Sequence, residues 1–320
     1  MMPEVSVIIP NYNGIQYLKR VLESLRLQTF TDFETILVDN GSTDGSAEFV
    51  EKEFPEVRLI ALPENTGFAC GVNVGIRSCS SKFVILLNND TEADPCFVKE
   101  MVEGIRRHPG AFSCQARMIQ FSDRTKLDGA GDCYSILGWA YARGKDSPAG
   151  AFLQEEQVFS ACAGAAVYRR KLLKKTGVFD EEHFAYLEDL DIGYRARILG
   201  YENWYLPKAV VCHVGSGTSG SRYNQFKIRY SSRNNIYMIY KNMPLPQIIL
   251  NLPFLAAGFA VKLLYFTAKG FGKEYLAGIK NGFEISKPEK KVKYRRRNLK
   301  NYLQIQKMLF QGTPGAVHRK

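Results

Sequence analysis

The sequence is most informative at Phe83-Val84-Ile85-Leu86-Leu87-Asn88-Asn89-Asp90-Thr91-Glu92. Five apolar residues run directly into oxygen-bearing side chains, which predicts a fully buried parallel strand with a polar site at its carboxyl end. Ligands of open α/β sheets bind at that end of the strands. Asp90 offers the hard carboxylate that Mg²⁺ or Mn²⁺ prefers, and such an ion completes its shell with substrate phosphates. A polar turn in which Asp90 caps the next helix is the alternative interpretation.

The same order of apolar strand and polar turn occurs three times before this stretch. The strands are residues 5–10, 33–39 and 57–62, and the polar segments that follow them are residues 11–14, 39–46 and 65–75. Helical spacing of apolar residues between the first two strands predicts a βαβ unit with parallel strands. Asp39 and Asp44 suit contacts with a base or ribose, or they hold the turn and cap the next helix.

A second acidic cluster follows an aromatic run. Residues 184–187 are Phe, Ala, Tyr and Leu, and Glu188, Asp189 and Asp191 come directly after them at the start of a predicted helix. The helix dipole and its unpaired amide hydrogens favour carboxylates there. Partial burial beside the aromatic run instead raises a carboxylate pKa toward that of a useful general base. For Asp191 we expect a structural pairing with Arg195.

A further strand, residues 204–212, ends at His213 and a loop of glycine and serine residues. Neutral imidazole is a suitable Mn²⁺ ligand, although a lone histidine is more often only a hydrogen-bonded polar residue. Arg222 in the same loop is a candidate for contact with diphosphate oxygens.

Composition and charge limit the class of protein. The chain has 320 residues, 45% of them hydrophobic, which is enough for one large domain and an appendage. Its seven cysteines form no C-x-x-C pair and predict reduced, mostly buried thiols of a cytosolic protein. The N-terminus lacks the pattern of a signal peptide.

The net charge of +11 is concentrated at the C-terminal end. Residues 241–320 carry 16 basic and 3 acidic residues, or +13, whereas residues 1–240 carry −2. An apolar run at 248–261 is interrupted at Lys262, short of the roughly 20 residues that span a bilayer, and residues 263–266 extend it beyond the lysine. It predicts a helix in the membrane interface, or a helical hairpin packed on the rest of the chain or on a second subunit as a homodimer. The basic stretch 287–300 favours anionic headgroups over nucleic acid as its partner.

Four motifs in order carry a family resemblance. They are residues 6–13 (Ser-Val-Ile-Ile-Pro-Asn-Tyr-Asn), 37–45 (Leu-Val-Asp-Asn-Gly-Ser-Thr-Asp-Gly), 65–68 (Asn-Thr-Gly-Phe) and 86–90 (Leu-Leu-Asn-Asn-Asp). Together they closely resemble family 2 glycosyltransferases with the GT-A fold, and within that family bacterial rhamnosyltransferases of cell-surface polysaccharide synthesis. The resemblance covers about residues 4–240.

This resemblance implies roles for particular residues. Asp189 corresponds to the general base and Glu188 to a residue that orients the acceptor. Asp90 and His213 correspond to ligands of Mn²⁺ or Mg²⁺, although Asn88 replaces the first acidic residue of the family's D-x-D element. The donor-nucleotide-binding residues expected from the motifs are Pro10, Tyr12, Asn13, Asp39, Asn40, Asp44, Asn65, Gly67, Phe68, Asn73, Asn89, Asp90 and Arg222.

The resulting prediction is an α/β GT-A fold with a mostly parallel central sheet flanked by helices. Residues 1–243 form the catalytic domain, with a nucleotide-sugar half to about residue 110 and an acceptor half from 111, and residues 244–320 form a helical extension. The expected partners are a nucleotide-diphosphate sugar donor, a glycan or lipid-linked acceptor and an anionic membrane surface, with no nucleic acid. We expect a cytoplasmic protein, peripheral at the inner face of the cell membrane.

The expected reaction is inverting, metal-dependent transfer of a sugar, best rhamnose, from a dTDP- or UDP-sugar. Two alternatives stand beside it, namely transfer to a polyprenyl phosphate and a scaffold that binds nucleotide or carbohydrate without turnover. A sugar-phosphate nucleotidyltransferase is disfavoured because the glycine- and arginine-rich loop it needs is absent after Pro10.

Overall fold

The computed structural model describes residues 2–215 and 223–313, which form an α/β structure of one large mixed sheet flanked by helices. The strands are β1 (Val5–Asn11), β2 (Phe33–Asn40), β3 (Arg58–Leu62), β4 (Phe83–Leu87), β5 (Thr91–Ala93), β6 (Ala111–Gln120), β7 (Leu127–Gly129), β8 (Asp132–Tyr134), β9 (Ala140–Ala142), β10 (Glu156–Gln157), β11 (Ala165–Arg169) and β12 (Glu202–His213). The helices are α1 (Ile15–Arg26), α2 (Ser46–Glu53), α3 (Phe68–Ser78), α4 (Phe97–Arg107), α5 (Arg170–Thr176), α6 (Glu188–Ile198), α7 (Gln225–Asn242), α8 (Leu245–Ala268), α9 (Gly272–Ile285) and α10 (Leu299–Gln311).

The sheet has the order β10-β12-β6-β11-β4-β1-β2-β3. Strands β4, β1, β2 and β3 are parallel neighbours, as the βαβ pattern predicted. In the other half, β12 runs parallel to β6, while β11 runs antiparallel between β6 and β4. The short β5 pairs with the end of β12, and β8 and β9 form a separate hairpin.

The predicted buried strand at residues 83–87 is β4, whose five side chains are all buried. Its alternate residues face opposite sides, because successive side chains of a strand point to opposite faces. Phe83, Ile85 and Leu87 join a core with α1 and α4, whereas Val84 and Leu86 join a core with α3 and α6. Both faces of the sheet are therefore covered by helices.

A third core joins the two sides of the boundary predicted at Pro244. Tyr134, Leu190 and Met238 from the first 243 residues pack with Leu255 of α8 and Leu309 of α10. The helical extension therefore shares apolar contacts with the hairpin β8-β9 and with α6.

The apolar run forms one helix with its extension beyond Lys262, because α8 continues unbroken through Pro253 and Lys262 and includes residues 263–266, over 24 residues in all. By length and composition alone it could cross a membrane. The expectation of mostly buried cysteines is wrong, because all seven are free but only Cys79 and Cys114 are buried, while Cys96 is exposed and the other four are half-buried.

The link between β7 and β8 depends on Gly131. Its φ is +107°, and a Cβ there would lie 2.2 Å from Cγ1 of Val158. We expect Gly131→Ala to lower the free energy of unfolding by about 2 to 4 kcal/mol, from backbone strain and overpacking together. Urea unfolding measures this change.

Gly150→Ala is the matched control, since a Cβ at Gly150 would meet nothing within 4 Å. We expect this variant to stay within about 0.5 kcal/mol of the parent. Equal stability of the two variants would contradict the packing described for Gly131.

Candidate active site

Four polar segments meet at one edge of the sheet. Residues 10–13, 39–44, 65–68 and 88–90 follow β1, β2, β3 and β4, which are parallel neighbours in the order β4-β1-β2-β3. The carboxyl ends of parallel strands lie on the same side of the sheet. The structure therefore brings together the segments that the sequence motifs singled out.

Asp39 lies at the centre of a hydrogen-bond chain along this edge. Asn89 Nδ2 donates to Asn11 Oδ1 at 2.6 Å, and Asn11 Nδ2 donates to Asp39 Oδ1 at 2.8 Å. The Asp39 carboxylate also accepts from the N–H of Ser42 at 3.0 Å and from its hydroxyl at 2.6 Å. The carboxylate thus fixes the turn at Ser42 and ties it to the end of β1.

Asp44 and Asn40 order the neighbouring turns. Asp44 accepts from the N–H of Ile15 at 2.9 Å and from the hydroxyl of Ser46 at 2.5 Å, which ties the start of α1 to the start of α2. Burial opposes the charge, but these hydrogen bonds outweigh it and lower the pKa of Asp44. Asn40 accepts from Thr66 at 3.0 Å and donates to the Gly67 carbonyl at 3.0 Å.

The remaining donor-site residues divide into two groups. Pro10, Tyr12, Asn13, Asn65 and Phe68 are at least partly exposed at the edge. Asn73, in contrast, is completely buried on α3 and forms reciprocal hydrogen bonds with the backbone of Phe179 at 2.8 and 3.1 Å. These contacts make Asn73 a packing residue. Arg222 lies outside the described residues.

Asp90 and His213 are adjacent, although 123 positions separate them in the sequence. Antiparallel pairing of β12 with β5 sets His213 opposite Thr91, and His213 Nε2 lies 3.2 Å from Asp90 Oδ1. The other ring nitrogen, Nδ1, lies 2.8 Å from Asp128 Oδ2. Burial opposes a charged imidazole, but the two carboxylates outweigh it and raise the pKa of His213 to about 9.

This pair fits a divalent cation. Two ligand atoms at neighbouring corners of an octahedron with bonds of about 2.1 Å lie about 3 Å apart, close to the 3.2 Å between Asp90 and His213. Carboxylate oxygen and imidazole nitrogen are ligands that suit Mn²⁺. The Asp128 carboxylate on Nδ1 directs Nε2 toward Asp90, as second-shell carboxylates of metal-bound histidines do.

Glu188 and Asp189 begin α6 after a strained backbone turn. Phe184, Tyr186 and Leu187 all have positive φ, at 58°, 71° and 65°. Each such non-glycine residue costs roughly 1 to 3 kcal/mol, and backbone strain of this kind concentrates at functional sites. The turn therefore supports a functional role for the two carboxylates that follow it.

Glu188 is buried and Asp189 is half-buried where α6 meets residues 160–163. Asp189 Oδ2 accepts from the N–H of Ala163 at 3.3 Å, and its carbonyl accepts from the Ser160 hydroxyl at 2.6 Å. Glu188 Oε2 is buried and has no hydrogen-bond partner among residues 2–215 and 223–313. Burial raises the pKa of Asp189, and burial together with the charge of Asp189 raises that of Glu188 well above its usual value.

Asp132 and Cys162 also belong to this cluster, and neither is predicted as a site residue from the sequence. One ligand atom from each of Asp132, Cys162 and Asp189 lies within 4.8 Å of the others. Burial and the charges of Asp189, Glu188 and Asp128 raise the pKa of Asp132 well above its usual value. Asp132 thus interacts electrostatically both with Asp189, the candidate base, and with Asp128, which is hydrogen-bonded to His213. The run Asp128-Gly129-Ala130-Gly131-Asp132 is the signal that could have indicated these aspartates.

Asp191 has the structural role expected of it. It is fully buried and accepts from Arg195 at 2.9 Å, Lys241 at 2.8 Å and Asn242 at 2.7 Å. Burial opposes its charge, but the two cations outweigh this and hold its pKa far below the usual value. The first turn of α6 therefore carries one carboxylate whose pKa is lowered by neighbouring cations and two whose pKa values are raised.

A family model described as Glycosyl transferase family 2 matches residues 6–177. The N-acetylglucosaminyl-diphospho-decaprenol L-rhamnosyltransferase of Mycobacterium tuberculosis is 27% identical over 248 residues, which are 69% of this chain and 79% of that protein. The poly-beta-1,6-N-acetyl-D-glucosamine synthase of Staphylococcus epidermidis is 25% identical over 231 residues, 71% of this chain and 53% of that protein. The chain thus spans about half the length of the latter relative.

Three solved structures confirm the GT-A fold. GalNAc-T7 with UDP, GalNAc and Mn²⁺ has a TM-score of 0.59 at 15% identity, over 74% of this chain and 48% of that one. The mannosyltransferase PcManGT of Pyrobaculum calidifontis, in complex with GDP-Man and Mn²⁺, has a TM-score of 0.54 at 16% identity, over 100% and 88%. TarS 1–349 of S. aureus with UDP has a TM-score of 0.53 at 20% identity, over 98% and 82%.

Asp128 provides a test of the cation site. We expect Asp128→Asn to weaken Mn²⁺ binding by about 10- to 100-fold, because the carboxylate that orients His213 is lost. Titration of free Mn²⁺ by electron paramagnetic resonance measures this affinity. Asp123→Asn is the control, because Asp123 bonds only to Thr125 and Lys126 near the surface in the interactions of the described residues. Equal Mn²⁺ affinity of both variants would contradict the role of Asp128.

Proposed function

Since this chain belongs to glycosyl transferase family 2 and is a glycosyltransferase, we propose that it transfers a rhamnosyl unit, with inversion, from dTDP-rhamnose or a related UDP-sugar. The acceptor is a lipid-linked glycan precursor of a cell-surface polysaccharide. One observation carries the proposal, namely that the Asp90–His213 pair at the donor edge is joined through Asp128 to the cluster of Asp132, half-buried Asp189 and buried Glu188. A protein that only binds its ligand needs no such pairing of a cation site with a base.

Each group has a defined task in this reaction. Asp90 and His213 would hold Mn²⁺ or Mg²⁺, which when bound neutralises charge on the leaving diphosphate. Asp189 accepts the proton of the acceptor hydroxyl, and its raised pKa brings it closer to that of an effective base. Glu188 orients the acceptor. Attack from the face opposite the nucleotide inverts the anomeric carbon.

One relative supports the choice of sugar and acceptor in this proposal. The Mycobacterium tuberculosis protein is named as a rhamnosyltransferase acting on N-acetylglucosaminyl-diphospho-decaprenol, and its similarity extends over 69% of this chain. We therefore choose dTDP-rhamnose as donor and a polyprenyl-diphospho-N-acetylglucosamine as acceptor for the first assay. Product formation and release of dTDP are followed together with Mn²⁺ present.

The assay distinguishes the alternatives. Transfer to polyprenyl phosphate instead of the glycan-bearing lipid would select the polyprenyl-phosphate reaction. Mn²⁺-dependent nucleotide binding without product from any acceptor would favour the scaffold. Neither binding nor turnover would reject the proposed donor site.

Asp189→Asn tests the assignment of the base. We expect transfer to fall by about 10²- to 10⁴-fold, because the proton acceptor is lost, while donor affinity changes little. The kcat is measured in the transfer assay and donor affinity by calorimetry. Glu188→Gln is the companion variant, and its main effect should be on the KM of the acceptor. Normal turnover of Asp189→Asn would reject Asp189 as the base.

The membrane partner is the second part of the proposal. On α8 the side chains of Ile249, Leu250 and Leu264 are 62%, 61% and 71% exposed. Phe254 of α8 contacts Phe310 of α10, with ring centroids 6.0 Å apart, so the two helices join their apolar surfaces. We call the exposed apolar side chains of α8 and α10 the apolar surface.

Charge near the apolar surface supports an anionic bilayer at the inner face of the cell membrane. Residues 287–300 carry eight basic side chains and one acidic side chain. Lys291 donates to the backbone carbonyls of Tyr240 and Met243, whereas the other seven basic side chains are exposed. Basic segments of this kind are attracted to anionic headgroups, and apolar side chains add their burial in the interface.

The double variant Leu250→Glu with Leu264→Glu tests the apolar surface. We expect at least about tenfold weaker binding to anionic vesicles, since burial of each leucine contributes about 1.5 to 3 kcal/mol. Sedimentation with vesicles of phosphatidylglycerol measures binding. Leu27→Glu is the control, because Leu27 is 70% exposed but lies on α1's C-cap. If the double variant still binds vesicles but no longer forms a homodimer, the apolar surface instead contacts a second subunit.

A further inference from the structure

The turn before the two catalytic carboxylates is held by a side chain from another helix. Asn234 of α7 is completely buried, and its Nδ2 lies 2.9 Å from the carbonyl oxygen of His183, 2.8 Å from that of Ala185 and 2.7 Å from that of Tyr186. One amide group thus binds three of the carbonyl oxygens between residues 183 and 186 in the strained turn. Its two hydrogens are shared among them.

The amide of Asn234 has a fixed orientation. Arg233 Nε donates to Asn234 Oδ1 at 2.9 Å, so the oxygen faces a donor and Nδ2 faces the three carbonyls. Arg233 also donates to the carbonyl of Glu182. Arg233 and Asn234 of α7 therefore both hydrogen-bond to the backbone of residues 182–186.

The C-terminal end of α7 contacts α6, the helix that begins with Glu188 and Asp189. Lys241 and Asn242 bind the carboxylate of Asp191 in α6 at 2.8 and 2.7 Å. Because Asp191 lies two residues beyond Asp189, α7 contacts the polypeptide both before and after the carboxylates. α7 therefore holds the turn and the start of α6 in a fixed relative position.

We propose that Asn234 is a positioning residue, which holds residues 183–187 in their positive-φ conformation and so aims Glu188 and Asp189 into the active site. This inference rests on the proposed roles of those carboxylates. The turn needs such a partner because L residues disfavour positive φ, and three of its residues adopt it. Without the amide donors, the carbonyls of Ala185 and Tyr186 would turn toward water and α6 would lose its fixed start.

The part of the turn that faces the nucleotide-sugar edge of the sheet is held by contacts that do not involve Asn234. Phe184 donates its N–H to the carbonyl of Glu181 at 3.1 Å and accepts from the N–H of Ala69 at 3.3 Å. Its ring packs against Gly67, where a Cβ would lie 2.6 Å from it. Removal of the Asn234 amide should therefore disturb the carboxylates more than the donor edge.

The experiment compares Asn234→Ala and Asn234→Ser with Asn235→Ala in the full chain. Asn235 is the matched control, because it is buried on the same helix and accepts from Tyr134 and donates to Gly138, both at 2.8 Å. Its loss removes two buried hydrogen bonds, to Tyr134 of β8 and to the carbonyl of Gly138, and neither partner belongs to the turn before Glu188. The serine variant retains one donor and serves if the alanine variant does not fold.

Two measurements decide the proposal. Hydrogen–deuterium exchange without substrates should rise in the peptide covering residues 183–191 for the Asn234 variants, and should not rise there for Asn235→Ala. In the rhamnosyl transfer assay, kcat should fall by about 10- to 100-fold, since displacements of about 1 Å have effects of that size. The KM for dTDP-rhamnose should stay within about threefold.

The outcomes separate this inference from the proposed function. Unchanged exchange at residues 183–191 in the Asn234 variants would overturn the inference, and so would equal kcat losses for the Asn234 and Asn235 variants. Because exchange needs no substrate, it decides whether Asn234 holds the turn even if the parent protein shows no rhamnosyl transfer. Absence of transfer by the parent would reject the proposed function instead.

Discussion

The parallel pairing of β4, β1, β2 and β3 is the constraint on which the rest of the structure depends. Each of these strands ends in polar residues, and parallel neighbours must place those ends at one edge. The hydrogen bonds from Asn89 through Asn11 to Asp39 show how closely the strand ends approach each other. The second half of the sheet adds His213 to the same edge through the pairing of β12 with β5.

Electrostatics then gives different properties to similar side chains. Asp189 and Asp191 are two residues apart in the first turn of α6, and both lie in buried surroundings. Asp191 faces Arg195 and Lys241 and stays ionised, whereas Asp189 faces Asp132 and has a raised pKa. A buried carboxylate with cations near it acts as a structural ion pair, and one without them is better suited to exchange a proton.

Local pattern was sufficient for much of the fold. The apolar run at residues 83–87 predicted β4, and the alternation of strands and helices in the first hundred residues predicted the parallel half of the sheet. The expected extension of the apolar run beyond Lys262 belongs to α8, because a single lysine and Pro253 do not interrupt a helix whose neighbouring turns still pack on α9 and α10. The prediction for Asn73 as a donor residue did not account for the segment around Phe179, which covers that face of α3.

By itself, the sequence determined the strand ends, their polar motifs and the acidic start of α6, because these follow from the periodicity and chemistry of neighbouring residues. Only the tertiary structure decided that Asp128 orients His213, that Asp132 lies beside Asp189, and that Asn234 holds the turn before Glu188. These contacts join residues from 48 positions apart, as between Asn234 and Tyr186, to 85 positions apart, as between Asp128 and His213. Sheet register and helix packing set such contacts, and local sequence patterns do not encode them.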